Sequence, residues 1–391
     1  MLKTKDGSEI TLSQALAFLE CKGITPPKLE HYYCPHYGVN SAATRRWTSA
    51  YHGIPGNGEI KGALVPRWKN GFFLHADFSQ NEYRVFAALA GEEAIMQAFR
   101  EGKDIHRFIA AKVFNKPEKE ITGAERNVAK RLSFGLLYGK GIPAIAEEYF
   151  RGDIKYAQSL FDMFFNMFPR IKAYMEEQKQ MLFDKGYITT VWGDPIYLPY
   201  DASSVSSVNE AIRYAINYPT QSTASSAAAL TGFELKKMAR ERKWELAIPG
   251  FIHDCLEGDF GHNYFLEVFD QLPQLAEEWP YEAFKLPLSL DIELGVRGGP
   301  YLVEFKRTGE DRRFVRDGVM RAKFEGRKDA VEELFERLEC EGRYNVTVTD
   351  TEEEESYGNW KELYLRVASS YTRSMGRTVT NLKGKVEVSL C

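Results

Sequence analysis

Arg126, Lys130, Phe134 and Tyr138 recur every four residues within R-N-V-A-K-R-L-S-F-G-L-L-Y-G, residues 126 to 139. On a helix this spacing gives one slowly drifting stripe, roughly 18 Å long at 1.5 Å per residue. Two cations lead into two aromatic rings, a surface that can hold a polyphosphate at one end and a flat base or sugar at the other. An amphipathic helix with a basic wet face is the plainer reading of the same spacing. About fifty residues upstream stands F-F-L-H-A-D-F-S-Q-N-E-Y-R, residues 72 to 84. Its apolar start reads as a short buried strand that delivers Asp77 at its end, and S-Q-N-E opens a helix continuing through Val85 to Leu89. A carboxylate held there suits Mg²⁺, which takes one or two protein carboxylates plus substrate phosphates. Asp77 as a helix cap is the alternative. A third segment, G-F-I-H-D-C-L-E-G-D-F (residues 250 to 260), places His253-Asp254 between apolar stretches, as at the tip of a tight hairpin. Two aspartates on strand ends and a cationic helix together describe metal-dependent phosphoryl transfer, with two metals about 3.5–4 Å apart.

These three segments, in this order, resemble motifs A, B and C of the family A DNA polymerases, the class of bacterial DNA polymerase I and many phage replicases. The resemblance runs from about Thr44 to Lys306. It implies an α+β fold: a palm built on an antiparallel sheet with helices, and helical fingers. It also implies template-directed addition of deoxynucleotides to a primer 3′-hydroxyl, with two Mg²⁺ ions (Mn²⁺ as a possible substitute) on Asp77 and Asp254. By the same resemblance, Glu82 blocks a ribose 2′-hydroxyl, with Gln80 beside it at the nucleotide. Arg126, Lys130 and His106 grip the triphosphate, Phe134 packs on the incoming sugar, and Tyr138 stacks near the templating base. Lys130 is also the candidate general acid. T-R-R-W-T-S (44 to 49) is similar to a primer-end segment, so Arg46 would reach the minor groove. R-Y-A-I-N-Y-P-T-Q (213 to 221) resembles a segment that brings Arg213, Asn217 and Gln221 to the duplex, and His253 would lie beside the primer terminus. The implied partners are primer–template DNA and deoxynucleoside triphosphates. Three departures from the family pattern, at four positions, stand out. Cys255 replaces the glutamate of His-Asp-Glu, and a thiol is a poor ligand for hard Mg²⁺. Arg45 replaces a glycine, and Asp194-Pro195 replaces a basic pair. Glu257 lies close by in sequence. A single-subunit RNA polymerase relative is a neighbouring reading, which Glu82 and Phe134 oppose. A degenerate, non-catalytic DNA-binding or scaffold subunit is a reading of another class, motivated by Cys255 and by the expected lack of a thumb.

The 391 residues suffice for two or three domains, and 44% hydrophobic with 27% charged residues describes a folded, globular chain. No apolar stretch approaches the ~20 residues needed to cross a bilayer, and the first residues lack the apolar core of a signal peptide. Five cysteines, none in a C-x-x-C pair, argue against a disulfide framework or zinc site and point to a reducing cytoplasm. The formal net charge is −4 and the pI about 6.1. A locally basic cleft is compatible with that sum, and Arg45, Arg46, Arg126, Lys130, Arg131 and Lys140 cluster in the motifs, so DNA binding should depend steeply on salt.

The expected organisation is an N-terminal segment over 1–43, palm over 44–90 and 200–306, fingers over 91–199, and a small α+β extension over 311–391. Helical stretches are read at 104–115, 123–139 and 155–183. In 156 to 168 the apolar residues, spaced by three and four, read as core. Residues 186 to 199 look like the family's strand–turn–strand segment, and 217 to 232, low in bulk, read as a close-packed helix under the palm. In the extension, 316 to 324 reads as a strand, 329 to 338 as a helix with one apolar face, 344 to 349 as a strand and E-L-Y-L-R-V as another. Only about 43 residues precede Thr44, where relatives carry a thumb and usually an exonuclease. The expectation is a split phage replicase, with a second polypeptide supplying the thumb, the 3′–5′ proofreading nuclease, or both. A fragment of a longer protein is the competing explanation. Three further matches are decoys: Gly135 to Lys140 lacks the spacing of a phosphate loop, Asn345-Val346-Thr347 is a glycosylation acceptor only in secreted chains, and Asp104 with His106 has no further ligand at metal spacing.

Overall fold

The computed structural model describes residues 2–3, 9–10, 35–38, 42–44, 46–54, 56, 59–285, 288–308, 313–349, 356–357 and 381–391. The chain divides into two units, residues 1–34 and 35–391. In the first, strand β1 (Leu2–Lys3) pairs antiparallel with β2 (Glu9–Ile10). Thr11-Leu12-Ser13-Gln14, which reads in sequence as a helix start, lies outside the described residues, as do Arg45 and the expected strand at E-L-Y-L-R-V.

In the second unit a Gly38–Thr48 bridge and a 3₁₀ turn over Ala50–Gly53 precede a short helix α1 (Glu59–Gly62) and strand β3 (Phe72–Phe78). A helical layer follows: α2 (Asn81–Ala90), α3 (Glu93–Arg100), α4 (Ile105–Val113), α5 (Gly123–Leu137), α6 (Ile142–Tyr149), α7 (Ile154–Met167) and α8 (Pro169–Lys185). Phe86, Ile109, Leu132, Leu136, Phe164 and Phe168 form its common core; of the apolar positions of 156 to 168, Ala157, Leu160, Phe161, Phe164 and Phe168 are packed inside, whereas Tyr156, Met163 and Met167 are exposed. The stretch 155–183 is two helices. Pro169 begins the second, and Phe168 before it takes φ −128°, ψ 65°. Proline disfavours the helical region for its predecessor but fits the first helical position. Strands β4 (Tyr187–Thr189) and β5 (Pro195–Tyr197) form the strand–turn–strand segment.

Helix α9 (Val205–Glu241) then runs 37 residues, about 55 Å. Its small residues let it lie close against the sheet, where Ala224, Ala227 and Ala228 join the core. Gly232 is the tightest point: a Cβ there would stand 3.0 Å from Cδ2 of Leu256. Gly232→Val should therefore cost about 1–3 kcal/mol through overpacking. Denaturant unfolding measures it, and an unchanged midpoint would mean the helix is not seated on that strand.

Strands β6 (Leu246–Ile252) and β7 (Cys255–Phe260), helix α10 (Phe265–Phe284), and strands β8 (Leu290–Gly295) and β9 (Val303–Arg307) follow. The remaining elements are β10 (Val315–Arg316), β11 (Val319–Arg327), α11 (Lys328–Glu339), β12 (Tyr344–Thr349), β13 (Ser356–Tyr357) and β14 (Asn381–Leu390). Nine strands lie side by side in the order β13-β12-β14-β11-β9-β8-β3-β7-β6, with β10 paired to β11, all antiparallel. The fold class is thus α+β, an antiparallel sheet with helices, as read from the sequence. The segment after 311 is not set apart from this sheet but extends it through β9–β11. Within 316–324 the chain makes a hairpin, because Asp317 and Gly318 both take positive φ (53° and 75°), the conformation that Asp-Gly turns favour. Strand β14 escaped the sequence reading, although Leu382, Val386 and Val388 alternate with polar residues in the required period of two.

Candidate active site

Strand β3 is apolar on both faces at first and turns half-open at His75 and Asp77. Asp77 sits opposite Cys255 of β7 on one side and Asp291 of β8 on the other. Strands β6 and β7 are joined by His253-Asp254 alone, and His253 takes φ 55° to close the turn. The amide of Phe78 donates to the Asp254 carbonyl at 3.2 Å, which sews this turn to the strand that carries Asp77. Asp77 is a strand residue. The cap position before α2 belongs to Gln80, exposed and in the left-handed region at φ 51°, so the capping reading of Asp77 does not hold.

Both carboxyls sit in surroundings that oppose their charge. Burial, then the charge of Asp254, pushes Asp77 up to about 7; His75 opposes this, and Asp291 and Glu293 add to it. Asp254 is likewise raised, by burial and then Glu82, while Arg46 and a hydrogen bond from Asn81 pull the other way. Neither aspartate has a lysine or arginine salt-bridge partner among the described residues. Crowded, half-buried oxygen ligands of this kind fit a hard divalent cation.

Glu82, in the first turn of α2, is ion-paired with Arg46. Tyr138, the residue capping α5, lies against the same carboxylate. Partial burial and then Glu82 push its phenol up to about 12, with Asp254 contributing. Phe134 stacks on Tyr138 with ring centres 6.3 Å apart and planes 17° apart. At the other end of α5, Thr122 and Glu125 form a capping box, and Arg126 Nε donates to Asp104 Oδ2 at 2.7 Å. Asp104 also caps α4 through the amides of His106 and Arg107. His106 is buried, 5.6 Å from the Phe134 ring, and its Nδ1 has no hydrogen-bond partner. Burial, then Arg126, and also Lys130 hold it down at about 4, so it is neutral at pH 7. Lys130 is exposed on the same stretch.

Asp77, Asp254, Glu82, Arg46 and Tyr138 therefore make one cluster, and Arg126, Lys130, His106 and Phe134 line the helix leading from it. The residues expected at the duplex are more dispersed. His253 is exposed at its turn, its ring 5.0 Å from His52. Arg213 is exposed on α9, its backbone packed where a Cβ on Gly139 would come within 3.0 Å. Asn217 is buried and donates to the Leu137 carbonyl at 3.2 Å, satisfying the end of α5. Gln221 is half-buried one turn further on.

Behind Asp77 lies a buried set that sequence reasoning passed over. Glu257, opposite His75 in register, accepts from Lys61 Nζ at 2.8 Å, His75 Nδ1 at 3.0 Å and the Tyr51 hydroxyl. Burial works against its charge, but those three hydrogen bonds prevail and hold the carboxyl down to about 2. Burial drives the Cys255 thiol well up, so it is neutral and no Mg²⁺ ligand. The ligand atoms of His75, Cys255 and Glu257 lie within 4.8 Å of one another. Cys255 Sγ, however, is nearly equidistant from the two ring nitrogens, at 3.3 and 3.4 Å, and so is in line with neither lone pair. Lys61 already neutralises the glutamate. The period of two puts His75 on the Asp77 face of β3 and Glu257 on the Cys255 face of β7, but only the register between those distant strands brings the four together.

The family described as DNA polymerase family A matches residues 53–298. This chain belongs to that family. Similar proteins include the thermostable DNA polymerase I of Thermus filiformis, 34% identical over 57% of this chain and 26% of the relative. DNA polymerase I of Pseudomonas aeruginosa is 31% identical over 58% of this chain and 24% of its own. The thermostable enzyme of Thermus thermophilus is 31% identical over 66% and 31%. The chain thus spans about a quarter to a third of these relatives' length. Among solved structures, the POL domain of Pol1 from M. smegmatis, in complex with DNA primer-template and dNTP, has a TM-score of 0.60. It is 24% identical, covering 76% of this chain and 57% of that one, and so speaks to the fold. No described helix is long and apolar enough to cross a membrane.

Proposed function

We propose that this chain is a template-directed DNA polymerase that joins deoxynucleotides to a primer 3′-hydroxyl. The observation that carries the proposal is the convergence of Asp77 and Asp254 at one end of the α5 stripe. Divalent Mg²⁺ held by these two carboxylates would activate the hydroxyl and offset charge on the leaving pyrophosphate. The protein's own part is positional. Arg126 and Lys130 hold the triphosphate, and Lys130 would also protonate the pyrophosphate as it leaves. His106, neutral and with a free Nδ1, offers a hydrogen bond rather than a fixed charge. Phe134 supports the sugar, Tyr138 the templating base, and Gln80 stands at the nucleotide's edge. Arg46, Arg213, Asn217, Gln221 and His253 would contact the primer–template, for which Asn217 must release the α5 carbonyl it now holds.

Primer extension with Mg²⁺ and the four deoxynucleoside triphosphates tests the proposal, and a chain that binds primer–template without extending it would support the non-catalytic alternative. Glu82 offers a sharper check on the substrate. Its carboxylate, pinned by Arg46, would occupy the space a 2′-hydroxyl needs. Glu82→Ala should raise ribonucleotide incorporation relative to deoxynucleotide by roughly 10–200-fold, the range for filling or emptying a small volume in a pocket. Unaltered sugar selectivity would remove Glu82 from that role.

A further inference from the structure

The face of the sheet that carries Asp77 does not stop at the cluster. On strand after strand it continues as an open, charged surface, while the opposite face is buried under α10 and α11 through residues such as Phe324, Val386 and Leu334. One row across the open face runs from Asp77 to Asp291. Strands β8 and β9 pair at Ile292 and Phe305, which brings Lys306 beside Asp291. Lys306 then stands opposite Lys323, and Lys323 opposite Lys385. Three lysines directly across from one another is a costly arrangement, because like charges at cross-strand distance repel. Lys306 is relieved by Glu304 at 2.9 Å, and in the next row Arg321 is matched by Glu387 at 2.8 Å. Lys323 and Lys385 hold no ion pair or hydrogen bond among the described residues. Lys323 is exposed and Lys385 half-buried on the surface beside it.

We infer that this lysine row is a phosphate-binding track for the nucleic-acid backbone, with Lys323 and Lys385 as its contacts. The inference rests on the polymerase reading of the carboxylate cluster, since the track shares a row and a face with Asp77. At about 4.8 Å per strand, Lys323 and Lys385 stand about 14 and 19 Å from Asp77. Along a duplex at about 3.4 Å per nucleotide, that is about four to six nucleotides from the reacting end. Compact ammonium groups suit phosphates as point charges, and a backbone lying here would relieve the repulsion that the fold leaves in place. The track reads no bases, so its contribution is independent of sequence.

The test is equilibrium binding of the full chain to labelled primer–template, without nucleotide, over a range of salt. The Lys323→Gln/Lys385→Gln double variant should bind roughly tenfold or more weakly at about 0.1 M salt, and its log–log salt slope should fall by about 1.8, two phosphate contacts at ~0.9 each. Lys323→Arg/Lys385→Arg should keep the wild-type slope. Two substrates locate the track: a long duplex with a single-nucleotide overhang, and a short duplex with a long overhang. Loss of slope on either one supports the inference and says which strand region lies on the lysines. An unchanged slope on both overturns it. Because binding is read without turnover, a chain that binds but never extends would sink the polymerase reading and leave this result standing.

Discussion

Asp77→Asn should reduce primer extension at saturating Mg²⁺ by about a thousandfold or more. Under the proposed mechanism, losing one of the two carboxylates that would hold the metals removes several kcal/mol of charge stabilisation, and each step of about 1.4 kcal/mol is a factor of ten in rate. The same substitution should have the opposite effect on the metal-free fold. Asp77 is pushed up to about 7 by burial and by Asp254. A carboxyl raised in this way binds its proton more tightly folded than unfolded. It therefore costs stability as pH rises from about 4, its ordinary value, to about 7, and goes on costing it above that. Asparagine carries no such charge, so the metal-free variant should melt above wild type at pH 8. Mg²⁺ should stabilise wild type more than the variant. A variant that extends primers at the wild-type rate would remove Asp77 from the chemistry altogether. Equal melting of the two metal-free proteins would mean the carboxyls are not in conflict.

The second large effect belongs to stability. Lys61→Met leaves Glu257 charged, 3% exposed and stripped of its ammonium partner at 2.8 Å. Breaking a buried pair from one side typically costs about 3–5 kcal/mol. Glu257→Gln in the Lys61→Met background should recover part of the loss, because the charge that needed neutralising is gone. Denaturant unfolding of the two single variants and the double gives the coupling. A Lys61→Met protein that unfolds at the wild-type denaturant midpoint would show that Tyr51 and His75 suffice to hold the carboxylate. Because Glu257 and His75 stand beside Asp77 on the same face of the sheet, the single variant should also weaken Mg²⁺ dependence in extension assays.

The sequence yielded most where a residue's position follows from local periodicity. The four-residue spacing on α5, the apolar run into Asp77 and the two-residue turn at His253-Asp254 are each dictated by a few neighbours. The small-residue helix over 217–232 was legible for the same reason, since Ala and Ser at its contacts leave room for nothing but close packing. What escaped reading depends on register between distant strands. That Glu257 faces His75, or that Lys323 lies between Lys306 and Lys385, follows from pairings between strands far apart in the chain, which no local pattern encodes. The break at Pro169 was marked by the proline itself and obscured by an apolar spacing that continues on both sides. The partners of Asn217 and Arg126 were beyond reach too, because a side chain that caps a neighbouring helix end or pairs with a cap residue looks in sequence like any polar group on a wet face.

The placing of β14 has a consequence for how the chain is made. It lies between β11 and β12 and pairs with both. During synthesis, β11 leaves the ribosome with one edge of peptide groups open, and everything from Lys328 to Thr380 must be made before β14 begins at Asn381. Through that interval the nascent protein offers a nine-residue unpaired edge, the surface on which chains join one another in error. The charged residues that alternate along that edge, Arg321, Lys323 and Glu325, act as gatekeepers until the proper neighbour arrives.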